Sequence, residues 1–260
     1  MHFGWLLDMS VGGNPLGSQS LIDRTILTAA KLQTIELCYG PGESVYERGA
    51  PAQFVYAVDK GALCRLRLLT GDRRSILQFL FPGHGFGYET GRQHRDTVQA
   101  LTNTTVLAAG REALLAAATS DRRLWNLLFT AATQTVAVAE DQAVLRVRTA
   151  SEQIAQFLLE MEVHLSIRGQ IDLPMNRRHI ADYVGLRLET VSRAFSALQR
   201  EKIIQFRDQT QRRLVIRDKQ RLRLLASGAS EFDYWSNLKN RKAVDTLTVA
   251  RTGNAALTAH

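Results

Sequence analysis

An α+β fold is predicted for this 260-residue chain: a turn-rich β-roll, a long helix, and a C-terminal winged helix-turn-helix. Three patterns predict it. Between about 35 and 107, brief apolar runs alternate with glycine- and proline-bearing turns, as in a small antiparallel barrel or roll. From 124 to 149, apolar and small residues recur at alternating spacings of four and three, the mark of one long helix. From 177 to 200, two amphipathic helical stretches flank Gly185, and two short β-prone runs follow. The length admits two domains with cores of their own. The boundaries fall at 1–20 (lead-in), 21–120 (roll), 121–150 (long helix), 151–226 (winged helix-turn-helix) and 227–260 (tail).

Residues 1–20 carry glycine and serine without periodicity and read as a flexible lead-in. A short helix is expected over 21–34. The roll follows, with turns at Tyr39-Gly40-Pro41-Gly42, Glu47-Arg48-Gly49, Asp59-Lys60-Gly61, Thr70-Gly71-Asp72 and Phe81-Pro82-Gly83. Strands fit between them, among them 54–58 and 75–80. Gly83-His84-Gly85-Phe86-Gly87 has the glycines of a phosphate cradle, but no strand-then-helix unit surrounds it, so a turn within the roll is the reading.

Leu124, Leu128, Ala131, Thr135, Val138, Gln142, Leu145 and Thr149 form a heptad seam. Its small and branched residues suit two parallel helices in close approach, so a two-fold dimer is expected; the alternative is a helix packed only within its own subunit. Over 151–166, Ile154, Phe157, Leu158, Met161 and Leu165 mark another amphipathic helix, which Ser151 would begin as a capping residue.

The next segment carries the chemistry. Over 177–184, Ile180 and Val184 lie four apart, and small Ala181 lets a second helix approach closely. Gly185 supplies a turn with free backbone. Leu186 and Leu188 flank Arg187, after which a helix opens whose Val191, Phe195 and Leu198 face inward. Glu189, Thr190, Ser192 and Arg193 remain outward, where a major-groove helix carries its readers. Arg193 can bond guanine O6 and N7 with two prongs, and Glu189 can accept from a cytosine amino group, each such pair giving roughly 1–3 kcal/mol of discrimination. Beyond it, 203–206 and 213–216 make a small hairpin, the wing, whose arginines would touch phosphates. Past 227 the chain has weak periodicity and reads as a disordered tail.

Charge agrees with DNA as the partner. The whole chain has a net charge of +8, and residues 170–225 hold thirteen Lys and Arg against six Asp and Glu, a surplus of seven. Nearly all the excess thus surrounds the helix-turn-helix, as neutralisation of a phosphate backbone requires. Arg177, Arg187, Arg212, Arg213 and Thr190 are the expected backbone contacts, and Glu189, Ser192 and Arg193 the base readers. The first residues have no basic segment before an apolar run, and no apolar stretch is long enough to span a bilayer, so a cytoplasmic protein with no membrane partner is expected. Cys38 and Cys64 are too few and too distant for a disulfide framework or a four-thiolate site, and read as buried small hydrophobes. His84, His94 and Glu89 could suggest a metal cluster; lacking ligand spacing, the histidines read as solvated.

Residues about 25–226 resemble the Crp/Fnr superfamily of bacterial transcription regulators, most closely its FixK-like and Fnr-like branch. The likeness rests on Leu173-Pro174-Met175, Ile180-Ala181-Asp182-Tyr183, Gly185-Leu186 and Leu188-Glu189-Thr190-Val191-Ser192-Arg193. The resemblance implies a cyclic-nucleotide-binding-like β-roll, a dimerisation helix, and an inverted repeat of TTGA type read by Glu189, Ser192 and Arg193. It also implies RNA polymerase as a partner touched through the roll. Cyclic-nucleotide-binding relatives carry a Gly-Glu pair and an Arg-Ser pair; here the stretches read Phe86-Gly87-Tyr88-Glu89-Thr90 and Gln93-His94-Arg95-Asp96-Thr97. Asp96 would repel a phosphate, so no response to cyclic AMP is expected. Oxygen-sensing relatives hold an iron–sulfur cluster with an N-terminal cysteine group, and residues 1–37 contain no cysteine. Asn176 stands where some FixK-like members have a redox-active cysteine. No cofactor, metal or catalysis is therefore expected.

The reading is a homodimeric, sequence-specific transcription regulator, an activator rather than an enzyme. Two alternatives stand beside it. The roll could bind a small-molecule effector or respond to redox state, with the DNA unit as its output. A basic architectural protein is disfavoured by Glu189, since an acid on the groove-facing helix lowers general affinity.

Overall fold

The computed structural model describes residues 27, 32–71, 73–89, 91–126, 128–130, 133 and 148–228. Its first half is a roll of two four-stranded antiparallel sheets. One runs β1 (Thr34–Tyr39), β8 (Thr104–Gly110), β3 (Phe54–Lys60), β6 (Gly85–Phe86); the other runs β2 (Ser44–Tyr46), β7 (Thr97–Ala100), β4 (Leu63–Leu68), β5 (Arg74–Leu80). Their inner faces share a core of Tyr46, Tyr56, Val58, Leu63, Leu80, Phe86, Val98 and Val106. Strand β3 is buried on both faces because side chains alternate across a strand. Tyr56 and Val58 enter that inner core, while Val55 and Ala57 face outward under helix α1 (Arg111–Ser120). The tight step from β3 to β4 requires Gly61, whose φ is +89° and where a Cβ would meet the Asn103 carbonyl oxygen at 2.5 Å.

Several expectations change here. Of the helix expected over 21–34, only Leu27 lies among the described residues before position 32; it is helical and buried, and strand β1 already begins at Thr34. Cys64 is buried, but Cys38 is exposed on edge strand β1, because its side chain points away from the inner core. His84 and His94 are buried rather than solvated. His94 stacks on Tyr46 at 3.5 Å between ring centroids, and His84 meets His164 edge-on at 4.7 Å. Burial depresses both imidazoles, that of His84 to about 3, with the nearby His164 adding to the effect. Among the described residues no group of three or more His, Cys, Asp or Glu could hold a metal ion.

After α1 the chain is helical again over 122–126 and 128–130, with the Asp121 carboxylate accepting from the Arg123 amide at 2.8 Å. The expected seam is corrected at its start. Leu124 is buried among Leu27, Val55, Ala57, Leu114 and Ala118 of its own subunit, and Leu128 packs on the same cluster. The residues that face outward are Trp125 and Phe129, 57% and 61% exposed and four apart. Ala131, Thr135, Val138, Gln142 and Leu145 lie outside the described residues, as do the lead-in 1–20 and the tail from 229 onward.

The second half begins with α2 (Ala150–Leu165). Its cap is Thr149, not Ser151: the Thr149 hydroxyl accepts from the Glu152 amide, and Glu152 reaches back to the Thr149 amide. That reciprocal box also removes Thr149 from the seam. Then come β9 (Ser166–Ile167), β10 (Gln170–Asp172), α3 (Arg177–Val184), α4 (Leu188–Arg200), β11 (Ile204–Phe206), β12 (Arg213–Ile216) and α5 (Lys219–Ser227). The strands form one sheet in the order β11-β12-β10-β9, so the wing hairpin is backed by two strands that periodicity did not announce. Helix α5 is also new; Lys219 Nζ lies 2.7 Å from Glu162 Oε2 on α2. Among the described residues no helix is long and apolar enough to cross a membrane.

The two halves share a core. Cys64, Leu66, Ile76, Phe79 and Phe81 of the roll belong to the same buried cluster as Ile154, Phe157 and Met161 of α2 and Ile180 of α3. Phe79 lies 5.0 Å from Tyr183 and 6.2 Å from Phe157, centroid to centroid. At the edge of this joint the Arg74 guanidinium of β5 bonds the Asp182 carboxylate of α3, with Arg178 on its other side at 3.5 Å.

Candidate nucleic-acid interface

Helix α3 starts at a second reciprocal cap, in which the Asn176 side chain accepts from the His179 amide at 2.9 Å and His179 Nδ1 faces the Asn176 amide at 3.5 Å. It ends at Gly185, whose φ of +76° would strain any other residue. The amides of Gly185 and Leu186 both donate to the Ala181 carbonyl, which turns the chain sharply into α4. Helix α4 buries Val191, Ala194, Phe195 and Leu198. Its opposite face is therefore committed to solvent or a partner.

Glu189, Ser192 and Arg193 lie on that outer face and are exposed, with Thr190 half-buried beside them. Glu189 and Arg193, four apart, project from the same side of the helix. Neither has a hydrogen-bond or ion-pair partner among the described residues, so both are available to base edges. The Ser192 hydroxyl donates to the Leu188 carbonyl at 3.0 Å, which leaves its oxygen free to accept. Arg187 occupies the N-cap and supplies no side-chain acceptor, so the first amides of α4 point outward unsatisfied by a cap. Such amides, at the positive end of the helix dipole, suit a phosphate.

The arginines divide into two kinds. Arg187 and Arg212 are exposed, with no side-chain partner among the described residues. Arg177 is not free for a phosphate as expected: its guanidinium carbon stands 3.5 Å over the Phe195 ring and 5.3 Å from that of Phe206, and it donates to the Gln211 carbonyl at 3.1 Å. It clamps the wing to α4, and burial lowers its pKa to about 10. The cation–π face of Phe195 explains this capture, since a desolvated guanidinium gains more there than in water. Arg213 is held at the wing's base, 3.2 Å from the Asp172 carboxylate, with more than half of its side chain still exposed.

The wing turn is organised by Asp208, which periodicity passed over. Its carboxylate accepts from the amides of Arg212 at 3.1 Å and Arg213 at 3.0 Å and from the Thr210 hydroxyl, and these bonds hold its pKa below the usual carboxylate value. An aspartate opening a short polar turn was the available signal.

In the roll, a cavity of about 510 Å3 is lined by Arg48, Gly49, Arg67, Gln93, His94 and Arg95. Asp96, largely buried, binds Arg67 at 2.7 Å and lies 3.9 Å from Arg65. Arg65 and Arg67 thus share one internal carboxylate, which offsets part of the positive charge beside the cavity.

Comparison with known proteins agrees with this geometry. Residues 36–121 match the cyclic nucleotide-binding domain family, and residues 152–225 match the Crp-like helix-turn-helix domain. The chain is 35% identical over 170 residues to the nitrogen fixation regulation protein FixK of Rhizobium meliloti (strain 1021), covering 65% of this chain and 78% of that one. It is 32% identical over 171 residues to the transcriptional activatory protein AadR of Rhodopseudomonas palustris, covering 64% and 72%. The solved structure of FixK2 from Bradyrhizobium japonicum superposes with a TM-score of 0.73 at 40% identity, covering 76% of this chain and all of that one.

Proposed function

This chain is a DNA-binding transcription regulator of the Crp/Fnr superfamily, in its FixK-like branch, and from that premise we propose that it acts as a cytoplasmic homodimer that activates transcription from a TTGA-type inverted repeat. The observation that carries the reading is the outer face of α4: Glu189, Ser192 and Arg193 exposed together, on a helix whose other face is wholly buried. Arg193 bonds guanine and Glu189 accepts from cytosine, while Arg187, Arg212 and the first amides of α4 hold phosphates. Two copies place two such helices one turn of DNA apart, roughly 34 Å. The outward pair Trp125 and Phe129 is the apolar surface through which they meet. RNA polymerase is the downstream partner, touched through the roll.

No cofactor is required in this reading. The Asp96 carboxylate, bound to Arg67 and beside Arg65, argues against a cyclic phosphate in the roll, and the absence of cysteine from residues 1–37 argues against an iron–sulfur cluster. The test is a gel-shift series at fixed salt with palindromic and scrambled duplexes. Arg193→Ala should abolish preference for the palindrome and leave weak, salt-sensitive binding; Arg212→Ala should weaken every sequence alike. Full discrimination in Arg193→Ala would show that the reading register is wrong.

A second reading rests on the cavity at Arg48 and Arg95, both exposed. It assigns the roll an anionic effector, with the helix-turn-helix as output. A saturable rise in melting temperature with an added small organic anion would promote it.

A further inference from the structure

We propose that the β4–β5 hairpin of the roll is a second DNA-contacting element, in which Arg73 joins Arg187 in holding phosphates beside the bases that α4 reads. The proposal rests on α4 being the reading helix. Its own observation is a cleft of about 630 Å3 between the hairpin and the start of α4, which Arg73, Arg74, Arg178, Arg187 and Glu189 all line. Four arginines there face two carboxylates, those of Glu189 and Asp182. Asp182 is matched by Arg74 and Arg178, so the cations left over are at the mouth. Arg73 and Arg187 are both exposed, and neither has a side-chain partner among the described residues.

Position decides what such a mouth can meet. The hairpin is closed by the Leu69 amide on the Arg73 carbonyl at 2.7 Å, and it is bolted to α3 by Arg74 and Asp182 and by the core that Phe79 shares with Tyr183. It is therefore anchored to α3, whose Ile180 shares one buried cluster with Phe79 of the hairpin and Val191 and Phe195 of α4. When α4 enters a major groove, the groove's walls are phosphate backbones, and Arg73 shares its cleft with Arg187, Leu188 and Glu189 at the N-terminal end of that helix. Each strand presents one phosphate about every 3.4 Å of helix axis, so a cation held near a groove wall finds one whatever the bases. Such a contact adds affinity and salt dependence without sequence information.

The experiment uses the full chain and fluorescence anisotropy at several salt concentrations, with palindromic and scrambled duplexes of equal length. Arg73→Ala should weaken both duplexes by the same factor, leave their ratio unchanged, and reduce the salt slope by about 1 per subunit. Arg73→Lys should restore most of the slope. Arg193→Ala is run beside them to test α4 itself. If Arg193→Ala loses discrimination while Arg73→Ala keeps the parental slope, the hairpin does not touch DNA and the proposal falls, leaving the neighbouring exposed Leu68 and Leu69 to a protein partner. If Arg193→Ala keeps discrimination, the reading of α4 falls and takes the proposal with it.

Discussion

Replacing Glu160 with glutamine should change how this protein's stability depends on pH. Glu160 sits on α2, 6% exposed, and its carboxylate accepts from the Tyr183 hydroxyl of α3 at 2.9 and 3.2 Å. Burial raises its pKa from 4.5 to about 7, against the opposite pull of the Tyr183 bond. The folded state thus holds this proton more firmly than the unfolded chain does. The resulting stabilisation is complete below pH 4.5 and is lost as pH rises through 7. At 1.36 kcal/mol per pKa unit, the loss is of order 3 kcal/mol. The buried and half-buried histidines work in the other direction. His84, lowered to about 3, and His94, His164 and His179, also lowered by burial, contribute stability that is present above pH 6.5 and lost on acidification. The two trends overlap, so the quantity to measure is the difference between wild type and Glu160→Gln. Urea unfolding at pH 5, 6, 7 and 8 provides it. Glutamine keeps an acceptor for Tyr183 and cannot ionise, so the variant should gain on the wild type steadily from pH 5 to 8. A difference that stays constant over that range would refute the argument, whatever its size.

Two further outcomes follow from burial. Phe129→Glu places a charge on the outward apolar face and should yield monomers by sedimentation velocity with the melting temperature little changed, whereas Leu124→Glu should lower the melting temperature by opening the subunit's own core; a Phe129→Glu chain that stays dimeric at micromolar concentration would put the seam elsewhere. Iodoacetamide should label Cys38 in the native protein and Cys64 only after denaturation, since burial pushes the Cys64 thiol up to about 12; intact mass would expose a native chain labelled twice.

The reading unit was legible because its determinants are local. Ile180, Ala181, Gly185, Val191, Phe195 and Leu198 encode two helices and a turn within a window of nineteen residues, and the outward set follows once the inward set is known. The roll's turns were legible for the same reason, glycine and proline being punctuation that needs no distant partner. The helix after α1 was harder. Periodicity shows that one side is apolar, but Leu124 and Trp125 are adjacent and both apolar, and only the sheet beneath decides which is covered. The burial of the histidines is not legible locally, because a turn-rich segment usually lies at the surface, while here Tyr46 and His164 close over His94 and His84.

Composition and spacing thus determined the turns of the roll, the reading helix and its outward residues, and the basic surplus around it, since each depends on contacts within a few turns of chain, whereas α1, α5 and the two strands behind the wing were not legible there. The tertiary structure alone decided which charges remain available. Arg177 and Arg187 look alike in the chain, yet one is stacked on Phe195 and the other stands open at the head of α4. It also joined the roll to α3 through Phe79, Tyr183, Arg74 and Asp182. Residues 74 and 182 lie more than a hundred positions apart, and pairing across that distance is settled by how whole surfaces pack, not by any local preference.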